Sequence, residues 1–140
     1  MDEELHREII QEHADHPCNK STIALADYYG RYISQKTGNQ SQVFIKVSAA
    51  DKVSKATFQG QGSALSIASG SLFASHASGM TLSELAELGK KVERVVLGDL
   101  SVELPGDLSV FRTIARFPER HDCALLVWRA LNSAIGADAT

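Results

Sequence analysis

The run QVFIKVSAADKVSKATFQGQG, residues 42–62, holds two alternating segments around a short connection. In the first, Val43, Ile45 and Val47 point one way and Phe44, Lys46 and Ser48 the other, the pattern of a half-buried strand over 42–49. In the second, Val53, Lys55, Thr57 and Gln59 oppose Ser54, Ala56 and Phe58. The connection Ala49-Ala50-Asp51-Lys52 is too short for a crossover, so the two strands form an antiparallel hairpin. Gly60-Gln61-Gly62-Ser63 then ends the strand pattern and opens a helical one.

Working towards the N-terminus, residues 35–41 (QKTGNQS) are turn-rich and polar. Residues 22–29 are rich in β-branched and aromatic side chains and predict the first strand of a three-stranded meander. Before them, Leu5, Ile9, Ile10 and His13 share one face of a helix over 3–16, which Pro17 stops.

Towards the C-terminus, Leu65, Ala68, Leu72 and Phe73 recur at helical spacing, and Gly79 closes that helix. Thr81-x-x-Glu84 is a capping box, followed by Leu82, Leu85, Leu88, Val92 and Val95 on one stripe up to Gly98. Residues 98–116 are less regular, with a turn at Pro105-Gly106 and a short helix over 108–115. Pro118 opens the last helix, with Cys123, Val127, Ala130, Leu131 and Ile135 as its apolar stripe and Gly136 as its end. The expected fold is α+β, helix first and a long helix last, as a single domain over residues 1–140.

Composition excludes several classes. The chain has 140 residues, 44% hydrophobic and 22% charged, with a formal net charge of −3. That balance argues against a nucleic-acid binder, which concentrates basic residues on one face. No apolar run is long enough for a membrane span, and the acidic start MDEELHREII is not a secretory signal, so the expected location is the cytoplasm. Two cysteines, Cys18 and Cys123, cannot make a disulfide scaffold or a four-thiolate metal site. A single Cys18–Cys123 disulfide runs against the cytoplasmic setting.

Four motifs invite chemistry. Gly60-x-Gly62 before a helix suggests a phosphate nest, but Leu65 stands where a third glycine would be and no P-loop lysine follows. A tight turn with Ser63 as N-cap explains it better. His13, His16 and Cys18 have the residue types of a metal site, yet Pro17 breaks their geometry, and a helix C-terminus favours imidazoles anyway. Cys123 sits in the first turns of a helix beside Arg120 and His121, which favour a thiolate, and Asp122, which opposes it. The competing reading is a buried structural cysteine. No serine lies in a nucleophile-elbow motif, which argues against a serine hydrolase.

Four segments, in order, resemble one family, the U-type iron–sulfur cluster assembly scaffolds (NifU N-terminal domains, IscU and SufU). Residues 5–20, LHREIIQEHADHPCNK, resemble the family opening L-Y-R-E-x-I-x-x-H-x-x-x-P-R-N-K. FQGQGSALSIAS at 58–69 resembles F-x-G-x-G-C-x-I-S-x-A-S, and GMTL at 79–82 resembles G-K-T-x. FPERHDCALLVW at 117–128 resembles F-P-A-R-x-x-C-A-x-L-x-W, and the extra length from about Gly98 to Phe111 is similar to the SufU branch.

The resemblance implies an α+β fold with a three-stranded antiparallel sheet and helices packed on one face. It implies work in iron–sulfur cluster assembly with a cysteine desulfurase or another assembly protein as partner. SufU proteins carry zinc and accept sulfur, whereas IscU-type members assemble a 2Fe–2S cluster. The family's Cys, Asp, Cys and Cys ligands fall on Thr37, Asn39, Ser63 and Cys123. Three of the four are neutral hydroxyls or an amide, poor ligands for zinc and iron. The expectation is a degenerate site with no cofactor, or weakly bound zinc or iron, and no cluster held by one chain. A homodimer would bring two Cys123 thiols together. The chain then acts by partner docking or by sulfur acceptance at Cys123. The alternatives are a sulfurtransferase using Cys123 with Arg120 or His121 assisting, and a regulatory binding module without chemistry.

Overall fold

A computed structural model describes residues 3–136. Helix α1 (Glu3–Asp15) leads into a meander of β1 (Tyr28–Ile33), β2 (Gln40–Val47) and β3 (Val53–Gln61), antiparallel and in that order. Helices α2 (Ala64–Ala77), α3 (Leu82–Val96), α4 (Val110–Ile114) and α5 (His121–Leu131) follow. A 3₁₀ turn at Pro118–Arg120 leads into α5 and a wider π turn, Asn132–Gly136, continues it. α2 and α5 lie on the sheet, α1 packs on α2, and α3 packs on α5. The expected α+β architecture is therefore present.

α2 can sit at the centre because its residues are small. Ser66, Ala68, Ser69, Gly70, Ser71, Ala74 and Ala77 are all buried, together with Leu72 and Phe73. A Cβ on Gly70 would come within 2.3 Å of the Phe58 ring, so the glycine lets helix and strand approach. The buried hydroxyls are satisfied across elements. Ser69 Oγ donates to the Ala124 carbonyl at 2.6 Å and accepts from Trp128 Nε1 at 3.1 Å. Ser71 Oγ accepts from the Cys18 amide at 2.8 Å and hydrogen-bonds His13 Nδ1 at 2.6 Å. Trp128 meets Phe73 and Phe111 edge to face, and each fully buried large side chain of this core contributes about 1.5–3 kcal/mol.

Three sequence expectations need correction. The first strand is not residues 22–29 but β1, Tyr28–Ile33. Residues 19–20 pair along β3, through the Lys20–Phe58 bridge and the Phe58 amide donating to the Asn19 carbonyl, so the chain must cross to the far side of β2 before it can pair again. Asp27 ends that crossing: its amide donates to Ile45 and its carboxylate accepts from the Val47 amide. The strand signal was hidden because Gly30 stands in mid-strand. A Cβ there would lie 2.1 Å from the Ala130 carbonyl oxygen, so α5 requires the glycine.

Second, Val53 does not share a face with Lys55. A bulge between the Lys46–Lys55 and Val47–Val53 pairs adds one residue on β3, which turns Val53 inward with Ala56 and Phe58. Third, Leu5 does not join the apolar face of α1. It is 52% exposed, while Ile9, Ile10 and His13 turn inward.

The capping box forms as expected: Thr81 Oγ1 accepts from the Glu84 amide and the Glu84 carboxylate accepts from the Thr81 amide. Cys18 and Cys123 are both free thiols, so the disulfide does not form.

Candidate functional site

The site is built where the N-termini of α2 and α5 meet α1. Ser63 is the N-cap of α2, its Oγ accepting from the Ser66 amide at 3.2 Å, while Ser66 Oγ donates to the Ser63 carbonyl at 2.7 Å. Cys123 is the third residue of α5 and half-buried, just ahead of the fully buried Ala124–Val127 run. Ser63 and Cys123 line one cleft of about 530 Å³. α1 contributes Arg7 and Ile10 to its lining, and Arg120 lines it as well. α1 is held there by His6 Nδ1 bonding Thr113 Oγ1 at 2.6 Å and by a Glu3–Arg116 ion pair.

Thr37 and Asn39 occupy the turn between β1 and β2 and are not walls of this cleft. Asn39 packs on Gly62, its Cβ and Cγ within 3.4 Å of where a Gly62 Cβ would stand, next to Ser63. Thr37 Oγ1 accepts from the Asn39 amide at 3.1 Å. The turn is tied to α5 by Ser34, whose hydroxyl accepts from the Lys36 and Thr37 amides and donates to Asp122 Oδ2 at 2.6 Å. Three chain segments distant in sequence thus meet around Ser63 and Cys123.

The family is decided by this fold together with one match: the NifU-like N-terminal domain family matches residues 5–137. The chain belongs to that family. Among curated proteins it is similar to the zinc-dependent sulfurtransferase SufU of Bacillus subtilis (strain 168), 28% identical over 138 residues, which cover 96% of this chain and 91% of that one. Among solved structures it is similar to a protein of Fervidobacterium islandicum AW-1 described as an iron–sulfur cluster assembly scaffold for the SUF system. That likeness has a TM-score of 0.81 and 25% identity, covering 96% of this chain and 98% of the other. It has the same fold as the N-terminal part of a NifU-like protein from Brucella abortus, with a TM-score of 0.79 and 22% identity over 92% of this chain and 90% of that one.

A resident zinc fits this family member poorly. Among the described residues no three His, Cys, Asp or Glu side chains gather as a metal site. Of Thr37, Asn39, Ser63 and Cys123, where the sequence resemblance expects the family's ligands, only Cys123 is a thiol. The Ser63 hydroxyl is engaged in capping α2 and the Thr37 hydroxyl in its own turn. Zinc sites use thiolate, imidazole or carboxylate donors, and neutral hydroxyls compete badly with water for such a cation.

The remaining candidates sort plainly. His121 Nε2 donates to the Ala115 carbonyl at 3.0 Å and is not a wall of the cleft, so it is not placed to assist Cys123. Asp122 accepts hydrogen bonds from Ser34 and Arg129 and is not a wall of the cleft. Arg120 lies over the Phe117 ring, 4.9 Å from its centroid, and lines the cleft with Cys123. His13, His16 and Cys18 do not assemble: His13 is bonded to Ser71, His16 sits by Glu12, and Cys18 is exposed. Gly60-x-Gly62 is a close-packing feature, since a Cβ on Gly60 would meet the Gln40 carbonyl oxygen at 2.5 Å.

Sequence reasoning missed Arg7. Its only mark is helical spacing, because Arg7, Ile10 and Gln11 fall at i, i+3 and i+4 on the cleft-facing side of α1.

Proposed function

We propose that this chain works in iron–sulfur cluster assembly as a member of the scaffold family whose metal site has been dismantled, and that Cys123 accepts sulfur from a cysteine desulfurase. The observation that carries the reading is a single half-buried thiol, Cys123, lining one cleft with Arg120 and the neutral Ser63, while Thr37 and Asn39 in the adjoining β1–β2 turn are neutral as well. The nucleophile is the Cys123 thiolate, formed in the first turn of α5 in the cleft that Arg120 also lines. That thiolate attacks the terminal sulfur of the donor's persulfide. The donor's S–S bond breaks, its cysteine leaves as thiolate, and a persulfide forms on Cys123. Binding of the desulfurase alone, with an inert Cys123, is the second reading, supported by the intact fold. Among the described residues no helix is long and apolar enough to cross a membrane. The proposed location is the cytoplasm.

The test is incubation with a cysteine desulfurase and cysteine, followed by alkylation and intact-mass analysis. The sulfur-accepting reading expects one added sulfur on Cys123. A Cys123 that stays unmodified while the two proteins co-purify supports docking alone.

A further inference from the structure

The cleft beside Cys123 has the walls of a small-molecule site. Its volume of about 530 Å³ falls in the range of about 300–1,000 Å³ typical of ligand pockets. Its floor is apolar, from Ile10, Leu65 and Phe117, and its rim carries two guanidiniums, Arg7 from α1 and Arg120 from the turn before α5. Among the described residues neither arginine has a carboxylate partner, whereas Arg116 nearby is paired with Glu3. Glu119, also on the rim, has no cationic partner among the described residues. Of the two carboxylates that line the cavity, Glu3 is taken by Arg116, so the site offers two bidentate carboxylate receptors, one free ammonium receptor and one thiol.

We propose that this cleft binds a zwitterionic low-molecular-weight thiol, of the cysteine or cysteine-peptide class, and that Cys123 exchanges with its disulfide. The ligand's carboxylate lies against Arg7 and Arg120, its ammonium group faces Glu119, and its sulfur reaches Cys123. The Cys123 thiolate attacks one sulfur of the small disulfide. A mixed S–S bond forms, the original S–S bond breaks, and the other half leaves as thiolate. Cys123 is oxidised and the small disulfide is reduced; a second low-mass thiol reverses the step. The adduct fills the cleft and blocks sulfur acceptance, so thiol status regulates the site. This inference rests on the reading of Cys123 as the working thiol.

The experiment uses two single-thiol proteins, Cys18→Ser and Cys123→Ser, each mixed with equal concentrations of oxidised glutathione, cystine or cystamine. Adduct formation is followed by intact mass. The exposed Cys18 reports the intrinsic reactivity of each disulfide. The expected result is a preference at Cys123 for the two zwitterionic disulfides over the dicationic cystamine, on the order of tenfold beyond that at Cys18, as for one added charged hydrogen bond. The glutathione and cystine arms show which size of ligand the cleft takes. Arg7→Gln in the Cys18→Ser background should weaken the preference and Arg7→Glu should abolish it, with unchanged melting curves.

Equal ratios at the two cysteines, or a ratio indifferent to Arg7, overturn the proposal. If desulfurase sulfur still reaches Cys123 in that case, only the ligand inference falls. If Cys123 reacts with neither the desulfurase nor any disulfide, the sulfur-accepting reading falls with it.

Discussion

The Ser34 hydroxyl donates to Asp122 Oδ2 at 2.6 Å, joining the β1–β2 turn to the residue beside Cys123 across 88 positions of sequence. Asp122 also accepts from Arg129 Nη1 at 3.3 Å, and Arg129 in turn lies over the Tyr32 ring. One carboxylate thus holds the turn bearing Thr37 and Asn39 against the start of α5. Ser34 is buried, so removing its hydroxyl takes one of the two hydrogen-bond donors from the Asp122 carboxylate.

Ser34→Ala should destabilise the protein by about 1.5–3 kcal/mol, the cost of a hydrogen bond to a charged group in a shielded place. Urea unfolding checks it. The Ser34→Ala/Asp122→Asn double variant should lose less than the sum of the singles, because the two residues share one interaction.

Protein purified without added metal should hold far less than one zinc or iron per chain by elemental analysis. The motive is the donor set at Thr37, Asn39, Ser63 and Cys123. Stoichiometric zinc or a cluster absorbance band would refute it.

The triple change Thr37→Cys, Asn39→Asp and Ser63→Cys should create a zinc site from the two new thiols, one carboxylate and Cys123. The structure adds a condition. Ser63→Cys removes the N-cap of α2, a loss of about 1 kcal/mol, so the metal-free variant should melt below the parent. Zinc should then raise its melting temperature by mass action, and leave the parent unmoved. Calorimetry with and without zinc measures both effects.

Cys18→Ser should leave sulfur acceptance intact, and Cys123→Ser should abolish it. Cys18 is exposed after α1 and is not a wall of the cleft. Mass analysis after desulfurase treatment distinguishes the two.

Gly30→Ala should be among the most damaging single changes. Its new methyl would meet the Ala130 carbonyl oxygen and the Ala134 amide, backbone atoms that cannot swing aside. Overpacking of this kind costs about 1–3 kcal/mol or more, read from the denaturation midpoint.

The β2–β3 hairpin, the capping box at Thr81 and the stripe from Leu85 to Val95 were all legible along the chain. Each depends on a repeat of burial between near neighbours, which periodicity records directly. Ordered matches at 5–20, 58–69, 79–82 and 117–128 also pointed to the family. What lay beyond reach depended on contacts between remote segments. The place of β1 follows from the crossing after Lys20 and from the closeness of α5 to Gly30. The inward turn of Val53 follows from one extra residue opposite β2. The arginine-rimmed cleft exists because His6 and Glu3 hold α1 against Thr113 and Arg116, which brings Arg7 to the same cavity as Cys123. Such placements leave no period in the sequence, because the partner that imposes each one is far along the chain and only folding brings it near.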